Sequence, residues 1–322
     1  MNLGIIGCGL IGVKRAKNAG AHKVAWAMDV VPERAQQLAQ SSGARVAKDW
    51  REILDQKDVD AVVVATTHDM LAPITSAALD AGKHVLVEKP GGRSPAEVAP
   101  LVEKARKKKL VVKVGFNHRF HPGLLKAREI VDRGAAGPLM FIRGRYGHGG
   151  RVGYEKEWRA DPVKSGGGEA IDQGVHLVDL ARWFLGDFTS VQGRAPTLFW
   201  SMPVEDNCFL LLETAKQQVA WLHASWSEWK NMFSLEIYGR TGKIQVDGLG
   251  GSYGLERLTY YQMLPQMGPP ETQTWEYPGP DTSWAAEFEN FAGAIEGTCK
   301  ACGTIEDAWA ALKIVEPVMR KR

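Results

Sequence analysis

The chain begins MNLGIIGCGLIG, residues 1–12, and this stretch decides the fold of the first half. A short apolar run, Leu3–Ile6, leads directly into GCGLIG, a GxGxxG motif placed between a predicted strand and a predicted helix. Gly7 would permit the tight turn, Gly9 would let the backbone approach a pyrophosphate, and Gly12 would let the helix pack closely on the strand. The phosphate would lie at the helix N-terminus. The motif therefore predicts a dinucleotide-binding loop.

An acidic residue follows this loop at the spacing expected for ribose recognition. Asp29 ends the predicted second strand, about 20 residues beyond Gly9. A carboxylate there can accept hydrogen bonds from both ribose hydroxyls of NAD, whereas it would repel the 2′-phosphate of NADP. Arg34 follows within the next turns and could reach a phosphate, which keeps NADP as the less favoured cofactor. The sequence predicts NAD.

The pattern of apolar runs changes along the chain. Up to about residue 117, short apolar runs alternate with amphipathic stretches, which is typical of βαβ units and a parallel sheet. After a helical segment at Gly123–Arg133, longer strands follow one another without intervening helices, which indicates a mostly antiparallel sheet. These predicted strands are Leu139–Gly147, Val191–Trp200, Glu205–Thr214, Gln218–Ser227, Phe233–Tyr238 and Lys243–Val246, the last two joined by a hairpin turn.

We therefore expect an α/β protein with two domains. Residues 1–120 would form a Rossmann domain with a doubly wound parallel sheet. Residues 121–322 would form an α+β domain with a large, mostly antiparallel open sheet for substrate binding and oligomerisation. A final helix, Ile305–Met319, would be free to pack back on the first domain.

The composition narrows the class of protein. The chain has 322 residues, of which 44% are hydrophobic and 24% charged, with a formal net charge of +3. That length suits two domains, and so small a basic excess predicts neither a nucleic-acid partner nor a membrane surface. The basic run at residues 104–109 is interpreted as a solvated helix end.

Cellular location is predicted from the chain start and the cysteines. Residues 1–12 show no basic segment with a cleavage site, and no apolar run approaches the roughly 18 residues of a membrane span. The cysteines, Cys8, Cys208, Cys299 and Cys302, are too few for a secreted disulfide framework. The lone CxxC at 299–302 has no second pair, so we interpret it as a loop before the last helix. We expect a cytoplasmic protein.

Two further motifs carry polar groups suited to catalysis. Glu88-Lys89-Pro90 closes an apolar strand, and doubly wound sheets bind ligands at their strand C-termini. In the second half, a glycine loop at residues 166–168 leads into a predicted helix with Asp172 and His176 four residues apart, on one face. Such a pair can orient an imidazole as general acid or base. The alternatives are that Lys89 is a solvated loop lysine and that Asp172 and His176 form an ordinary surface pair.

Metal and nucleophile chemistry are not predicted. His118, His121 or His148 could join Asp172 and His176, but two-residue clusters do not make a metal site, and no HExxH helix is present. A Ser or Cys nucleophile is not predicted either.

Taken together, these motifs resemble the Gfo/Idh/MocA family, the glucose-fructose oxidoreductase and inositol dehydrogenase type, over nearly the whole chain. Their order and spacing are highly specific. The matching pieces are GCGLIG at 7–12, Asp29 with Arg34, Ala65-Thr66-Thr67-His68, Glu88-Lys89-Pro90, Asn117-His118-Arg119-Phe120, and the glycines at 166–168 followed by Asp172 and His176. Thr67-His68 departs from the Pro-Asn usual in the family, so the lining of the cofactor site is expected to differ there.

The resemblance implies roles for these residues. Lys89, Asp172 and His176 would be catalytic: Lys89 would bond the reacting hydroxyl and the nicotinamide ribose, and His176 would take the hydroxyl proton. Cofactor contacts would come from Gly7, Gly9, Leu10, Ile11, Gly12, Asp29, Arg34, Thr66, Thr67, His68, Glu88, Lys89 and Asn117. Substrate contacts would come from Lys89, Arg119, Trp158, Arg159, Asp172 and His176, with Arg159 suited to a carboxylate or phosphate.

The function expected from this resemblance is hydride transfer between NAD and a secondary alcohol of a sugar, a cyclic polyol or a sugar derivative, nucleotide sugars included. Two alternatives stay open: a redox-cycling enzyme that retains its NAD, such as an oxidative glycosidase or isomerase, and a non-catalytic NAD-sensing regulator. The resemblance also implies subunit contacts through the second sheet, as a homodimer or homotetramer. Trp200, Trp221, Trp226 and Trp229 are interpreted as sheet core or interface, and Met263–Pro280 as a pocket loop.

Overall fold

A computed structural model of the protein describes residues 1–320 and divides the chain into two compact units. The first unit comprises residues 1–117, 163–166 and 284–312. The second comprises residues 118–162, 167–283 and the chain from residue 313. Both units therefore draw on segments from separate parts of the sequence. The domain boundary predicted between residues 120 and 121 stays a prediction.

The first unit is built on a six-stranded parallel sheet. Its strands are β1 (Asn2–Ile6), β2 (Lys23–Met28), β3 (Arg45–Val46), β4 (Ala61–Val64), β5 (His84–Val87) and β6 (Val112–Val114), in the spatial order β3-β2-β1-β4-β5-β6. Every residue of β4 is buried, as parallel strands covered on both faces require. The order reverses between β1 and β4, where doubly wound folds place their ligands. The predicted Rossmann sheet is confirmed.

Helices cover this sheet between its strands. They are α1 (Leu10–Lys17), α2 (Pro32–Ser42), α3 (Trp50–Leu54), α4 (His68–Asp80) and α5 (Pro95–Lys108). Asp49 and Ser94 cap α3 and α5, each accepting a hydrogen bond from a backbone N–H of the first turn. The capping side chains satisfy donors that a helix N-terminus leaves without partners.

The second unit contains an eight-stranded sheet. Its strands are β7 (Leu139–Gly147), β8 (Phe188–Arg194), β9 (Asn207–Thr214), β10 (Val219–Ser225), β11 (Met232–Gly239), β12 (Gly242–Asp247), β13 (Glu256–Gln262) and β14 (Glu271–Tyr277). Their spatial order is β14-β13-β12-β11-β7-β10-β9-β8, and the β7–β10 pair is parallel while the other neighbours are antiparallel. The predicted large, mostly antiparallel sheet is confirmed.

Helices α6 (Pro122–Asp132), α7 (Pro162–Ser165) and α8 (Val175–Leu185) follow in chain order, and α6 and α8 contact strands of the second sheet. Later in the chain come α9 (Ser283–Glu296) and α10 (Ile305–Met319). Phe288 and Phe291 of α9 join the core of the first unit with Leu3 and Ile5. The last helix has the predicted bounds.

Three details of the second half differ from the sequence prediction. The strand predicted at Val191–Trp200 ends at Arg194, because the Asp206 carboxylate accepts the backbone N–H groups of residues 198–200 and holds them in a turn. Met263–Pro280 contains β14 and is not simply a loop. The sequence prediction also lacked β13 and α9.

The tryptophans of the second sheet do not share one environment. Trp226 is fully buried with Tyr154 and Val204, whereas Trp221 and Trp229 are exposed. Oligomerisation through this sheet stays a prediction. Within residues 1–320, no helix is both long enough and apolar enough to cross a membrane.

Candidate active site

The glycine loop between β1 and α1 has the geometry that its three glycines predict. Gly7 adopts a φ of +92°, which favours glycine, and a Cβ there would collide with the carbonyl of Ala65. A Cβ on Gly12 would collide with the carbonyl oxygen of Gly7. A Cβ on Gly9, by contrast, would meet no heavy atom within 4 Å. Gly7 and Gly12 are therefore required by the fold, whereas the fold leaves room at Gly9 for a ligand.

Asp29 braces this loop from the end of β2. One carboxylate oxygen accepts the N–H of Cys8 at 2.6 Å, and the other accepts the N–H of Val31 at 2.8 Å. The Cys8 thiol is 3% exposed, and burial, followed by the charge of Asp29, raises its pKa to about 12. This thiol stays protonated at neutral pH, and Asp29 ties the loop to the second strand.

The remaining residues predicted near this loop have different exposures. Leu10 opens α1 and is 85% exposed, Ile11 is half-buried, and Arg34 is exposed in the first turn of α2. A ligand at the loop could therefore contact the Leu10 side chain directly. The contact of Arg34 with a cofactor stays a prediction.

The C-terminal ends of the central strands collect the other predicted cofactor residues. Thr66 and Thr67 follow β4, Lys89 follows β5, and Asn117 lies beyond β6. Thr67 donates from its hydroxyl to Asp69 at 2.6 Å, and the buried His68 bonds through Nδ1 to the carbonyl oxygen of Ser165 at 2.9 Å. Because these strands are parallel, their carboxyl ends share one edge of the sheet with the glycine loop.

Glu88 is held by a buried network that the sequence analysis missed. Arg15, on α1, is 1% exposed and donates from Nε to a Glu88 carboxylate oxygen at 2.7 Å. Its guanidinium also pairs with Glu287 of α9, which is fully buried. Burial raises the pKa of Glu287 despite the opposing pull of Arg15. The network therefore anchors the residue that precedes Lys89, and no local sequence signal marks Arg15 or Glu287.

In the second unit, Asp172 and His176 lie where a π-helical turn meets α8. The turn spans Ala170–Gly174, so the simple helix predicted here is wrong in its first turn. Asp172 is 6% and His176 5% exposed, which excludes a solvated surface pair. π-Turns of this kind occur mainly as single turns within helices, often at functional sites. The predicted pair is thus buried in an irregular helix start.

Gly168, shortly before this turn, allows close approach to the segment that precedes β9. The N–H of Gly168 donates to the Glu205 carboxylate at 2.8 Å. A Cβ on Gly168 would collide with the backbone of Glu205. The glycine loop is therefore needed for packing in the second unit.

Arg159 is the side chain that holds Asp172. Its Nε donates to the Asp172 carboxylate at 3.2 Å, and its guanidinium lies 4.6 Å from the centre of the Trp158 ring. Burial alone would lower the pKa of Arg159, but the combined attraction of Asp172, Tyr154 and Glu157 outweighs burial, so the pKa of Arg159 is raised. Arg159 was predicted to contact substrate, and that contact stays a prediction.

Aromatic rings surround His176. His118 stacks on it with ring centroids 3.9 Å apart, and the Tyr146 ring lies 5.0 Å from His118 and 6.2 Å from His176. His121, one turn further, bonds through Nδ1 to Glu256 at 3.0 Å. His118 was predicted only as part of the motif at residues 117–120 and as a possible metal ligand, and its ring contact with His176 was not predicted.

Arg119, predicted to contact substrate, lies in a buried ion pair. Its guanidinium donates twice to Asp179 of α8, at 2.6 and 2.8 Å. Arg119 is 5% and Asp179 1% exposed, so the pair ties the 3₁₀ turn at 117–120 to α8. Its role toward substrate stays a prediction.

No group of three or more His, Cys, Asp or Glu side chains within residues 1–320 has an arrangement that could hold a metal ion.

Fold and site together define a dinucleotide-binding α/β protein with a second unit that carries a buried histidine and carboxylate. The chain belongs to the GFO/IDH/MocA family. Residues 1–116 match the model of its oxidoreductase domain with an NAD-binding Rossmann fold, and residues 124–245 match the model of a GFO/IDH/MocA C-terminal domain. The family membership predicted from the motifs is thereby confirmed, as is the prediction of an NAD-binding protein.

Several named proteins are similar to this chain. It is 28% identical to inositol 2-dehydrogenase of Rhizobium meliloti over 99% of this chain and 96% of that protein. It is 29% identical to levoglucosan dehydrogenase of Pseudarthrobacter phenanthrenivorans over 64% of this chain and 56% of that protein. An inositol 2-dehydrogenase of Saccharopolyspora erythraea is 32% identical over 66% of this chain and 63% of its own length. The last two alignments thus span less than two thirds of those relatives.

A solved structure shows the same fold. Levoglucosan dehydrogenase in complex with NADH superposes with a TM-score of 0.90 at 23% identity, covering 100% of this chain and 96% of the other. At that identity the likeness concerns the fold alone.

Proposed function

We propose that this protein is an NAD-dependent dehydrogenase or reductase that acts on a secondary alcohol of a sugar, cyclic polyol or sugar derivative. The observation that carries the proposal is the buried pair Asp172–His176, with Asp172 held by Arg159, in a chain that also has the glycine loop and Asp29. A regulator that only binds NAD has no need of a buried acid–base pair. The names of the relatives support the substrate class.

The glycine loop fits the cofactor. The backbone at Gly9 is open to close approach, and the N–H groups that begin α1 suit a pyrophosphate. Asp29 presents a carboxylate, fixed by two backbone N–H groups, for the ribose hydroxyls. NAD, when bound, supplies the acceptor for the hydride of the alcohol carbon. We propose NAD over NADP because the fixed charge of Asp29 would oppose a 2′-phosphate.

His176 would accept the hydroxyl proton of the substrate during oxidation and return it during reduction. A carboxylate one turn away stabilises the imidazolium that forms, which is the role proposed for Asp172. Arg159 orients Asp172 by donating to its carboxylate. Lys89, at the end of β5, would donate a hydrogen bond to the reacting oxygen, with its backbone position set through Glu88 and Arg15. General acid–base assistance of this kind contributes about 10²–10⁴ in rate.

The test is a substrate screen with purified protein. NAD and NADP are offered separately with inositols, anhydrosugars, aldoses, amino sugars, uronates and nucleotide sugars, and absorbance of the reduced nicotinamide is followed. We expect turnover with one class and a preference for NAD. Retention of NAD through purification without net reduction on any substrate would instead support a redox-cycling enzyme. Absence of both turnover and NAD binding would contradict the proposal.

A further inference from the structure

Gln173, the neighbour of Asp172 in the π-turn, has an amide of which only one end is engaged. Its Nε2 donates to the hydroxyl of Tyr253 at 3.1 Å. Its Oε1 is buried and has no hydrogen-bond donor within residues 1–320. Gln173 as a whole is 6% exposed. A buried acceptor without a donor costs about 1–3 kcal/mol, so such groups in native proteins call for an explanation.

Tyr253 fixes the orientation of this amide. It ends a short 3₁₀ turn, Gly251–Tyr253, in the connection between β12 and β13. The glycines at 248, 250, 251 and 254 all adopt positive φ, so the path of this connection depends on conformations that favour glycine. Burial raises the pKa of Tyr253 to about 12, so its hydroxyl is protonated at neutral pH. The connection thus presents a neutral phenol to Gln173.

The same phenol joins Gln173 to the rings around His176. The Tyr253 and Tyr146 rings lie 5.4 Å apart. Tyr146 in turn lies edge-on to His176. The charge of Asp172 contributes to the raised pKa of both tyrosines. The open acceptor of Gln173 therefore belongs to the surroundings of the proposed acid–base pair.

We propose that Gln173 Oε1 is a substrate subsite that accepts a hydrogen bond from a second hydroxyl of the substrate, on a carbon near the one that is oxidised. The proposal rests on the proposed function and adds a requirement to it: the substrate is a polyhydroxylated molecule, and a simple secondary alcohol would leave the acceptor unmatched. Tyr253 acts as a positioning residue, because it holds the amide nitrogen so that the oxygen is the end offered to the ligand.

A methionine at position 173 tests this assignment, since it is similar in length and lacks the acceptor. The substrate screen first provides the best polyol, and its deoxy analogues each lack one hydroxyl. We expect Gln173→Met to lower kcat/KM for the parent polyol roughly tenfold or more, mainly through KM. One deoxy analogue should be turned over by the wild type with a similar loss. On that analogue, the variant should lose little more, because a contact already absent cannot be lost twice.

Additive losses for every deoxy analogue, or no loss in Gln173→Met, would overturn the subsite while leaving the proposed function intact. Failure of the wild type on the whole screen would overturn the function and the subsite together. Calorimetric titration of the polyol into NADH-saturated protein gives a second readout and should show the same tenfold loss of affinity.

Two further variants separate binding from folding. Tyr253→Phe removes the hydroxyl that orients the amide and should give a smaller loss on the same polyol, with the same deoxy analogue least affected. Gln245→Met changes a glutamine of β12 that bonds Asp247, and it should behave as wild type. A Tyr253→Phe variant that loses equally on all analogues would overturn the positioning role.

Discussion

The glycine loop at residues 7–12 and the polar cluster around His176 are built in opposite ways. The shape of the loop depends on its own backbone. A side chain at Gly7 would collide with the carbonyl of Ala65, just after β4, and a side chain at Gly12 would collide with the carbonyl oxygen of Gly7, just after β1. The cluster combines side chains from distant segments: His118, Tyr146, Arg159, Asp172 with His176, and Tyr253. Its geometry therefore depends on the second sheet and its connections.

Because of this difference, we expect substitutions in the two regions to have different effects. A substitution in the loop changes the backbone, so it is expected to affect folding and cofactor binding together unless it falls at Gly9. A substitution in the cluster removes one side chain and leaves the backbone that carries it in place. We therefore expect it to affect turnover more than cofactor binding.

The largest effect is expected for His176→Ala. Loss of the proposed acid–base group should lower kcat about 10²–10⁴-fold, while NADH affinity, measured by fluorescence titration, stays at the wild-type value. His223→Ala changes a half-buried histidine of β10 that bonds Asn207, and serves as the control. Near-wild-type turnover in His176→Ala would contradict the role of this residue and would remove the functional contrast between the two regions.

Arg15→Met is expected to be the most damaging change to stability. It leaves Glu88 and Glu287 buried without their shared cation, which typically costs about 3–5 kcal/mol in the free energy of unfolding. Urea denaturation measures this cost. A loss below about 1 kcal/mol would show that water or rearrangement compensates the two carboxylates.

The cost of Arg15→Met should also depend on pH. The pKa of Glu287 is raised above the ordinary 4.5 by burial, so the folded state holds this proton to higher pH than the unfolded state. The contribution of Glu287 to the free energy of unfolding is therefore fully present below the ordinary pKa of 4.5. This contribution is lost as the pH rises through the raised pKa. Without Arg15 the pKa of Glu287 should rise further and the fall should extend to higher pH, so wild type and variant should differ more at pH 8 than at pH 5. An equal difference at both values would exclude Glu287 as the cause.

The paired variants Gly12→Ala and Gly9→Ala test the loop itself. Gly12→Ala should lower the free energy of unfolding by about 1–3 kcal/mol, because its Cβ meets the Gly7 carbonyl. Gly9→Ala should leave the melting temperature unchanged and weaken NAD binding about 5–150-fold, since its methyl occupies the space proposed for the pyrophosphate. Equal effects of the two variants on stability would contradict this division.

The smallest effect is expected for Asp29→Ser. Removing the fixed carboxylate should weaken NAD binding and shift the NADP-to-NAD affinity ratio toward NADP by about tenfold or more. Arg34→Ser is the matched control, and it should shift the ratio the other way if Arg34 reaches a phosphate. An unchanged ratio in Asp29→Ser would show that Asp29 acts only by bracing the loop at Cys8 and Val31.

Much of the fold could be predicted because periodicity reports burial locally. The strand at Leu139–Gly147 and the helix at Ile305–Met319 have the predicted bounds. The strand predicted to reach Trp200 was wrong, since its end depends on Asp206, which bonds three N–H groups from a later position in the chain. The π-turn before His176 was not predictable either, because a helical spacing of four residues fits both kinds of helix.

The sequence by itself determined the parallel sheet, the glycine loop, the position of Asp29 after the second strand and the placement of Asp172 and His176 in one helical segment, because each depends on neighbouring residues with specific backbone needs or spacing. Only the tertiary structure decided the partners: Arg15 with Glu88 and Glu287, Arg159 with Asp172, His118 on His176, and Tyr253 on Gln173. The physical reason is that charge pairing, ring stacking and amide orientation depend on distances across the fold, and no local pattern specifies them.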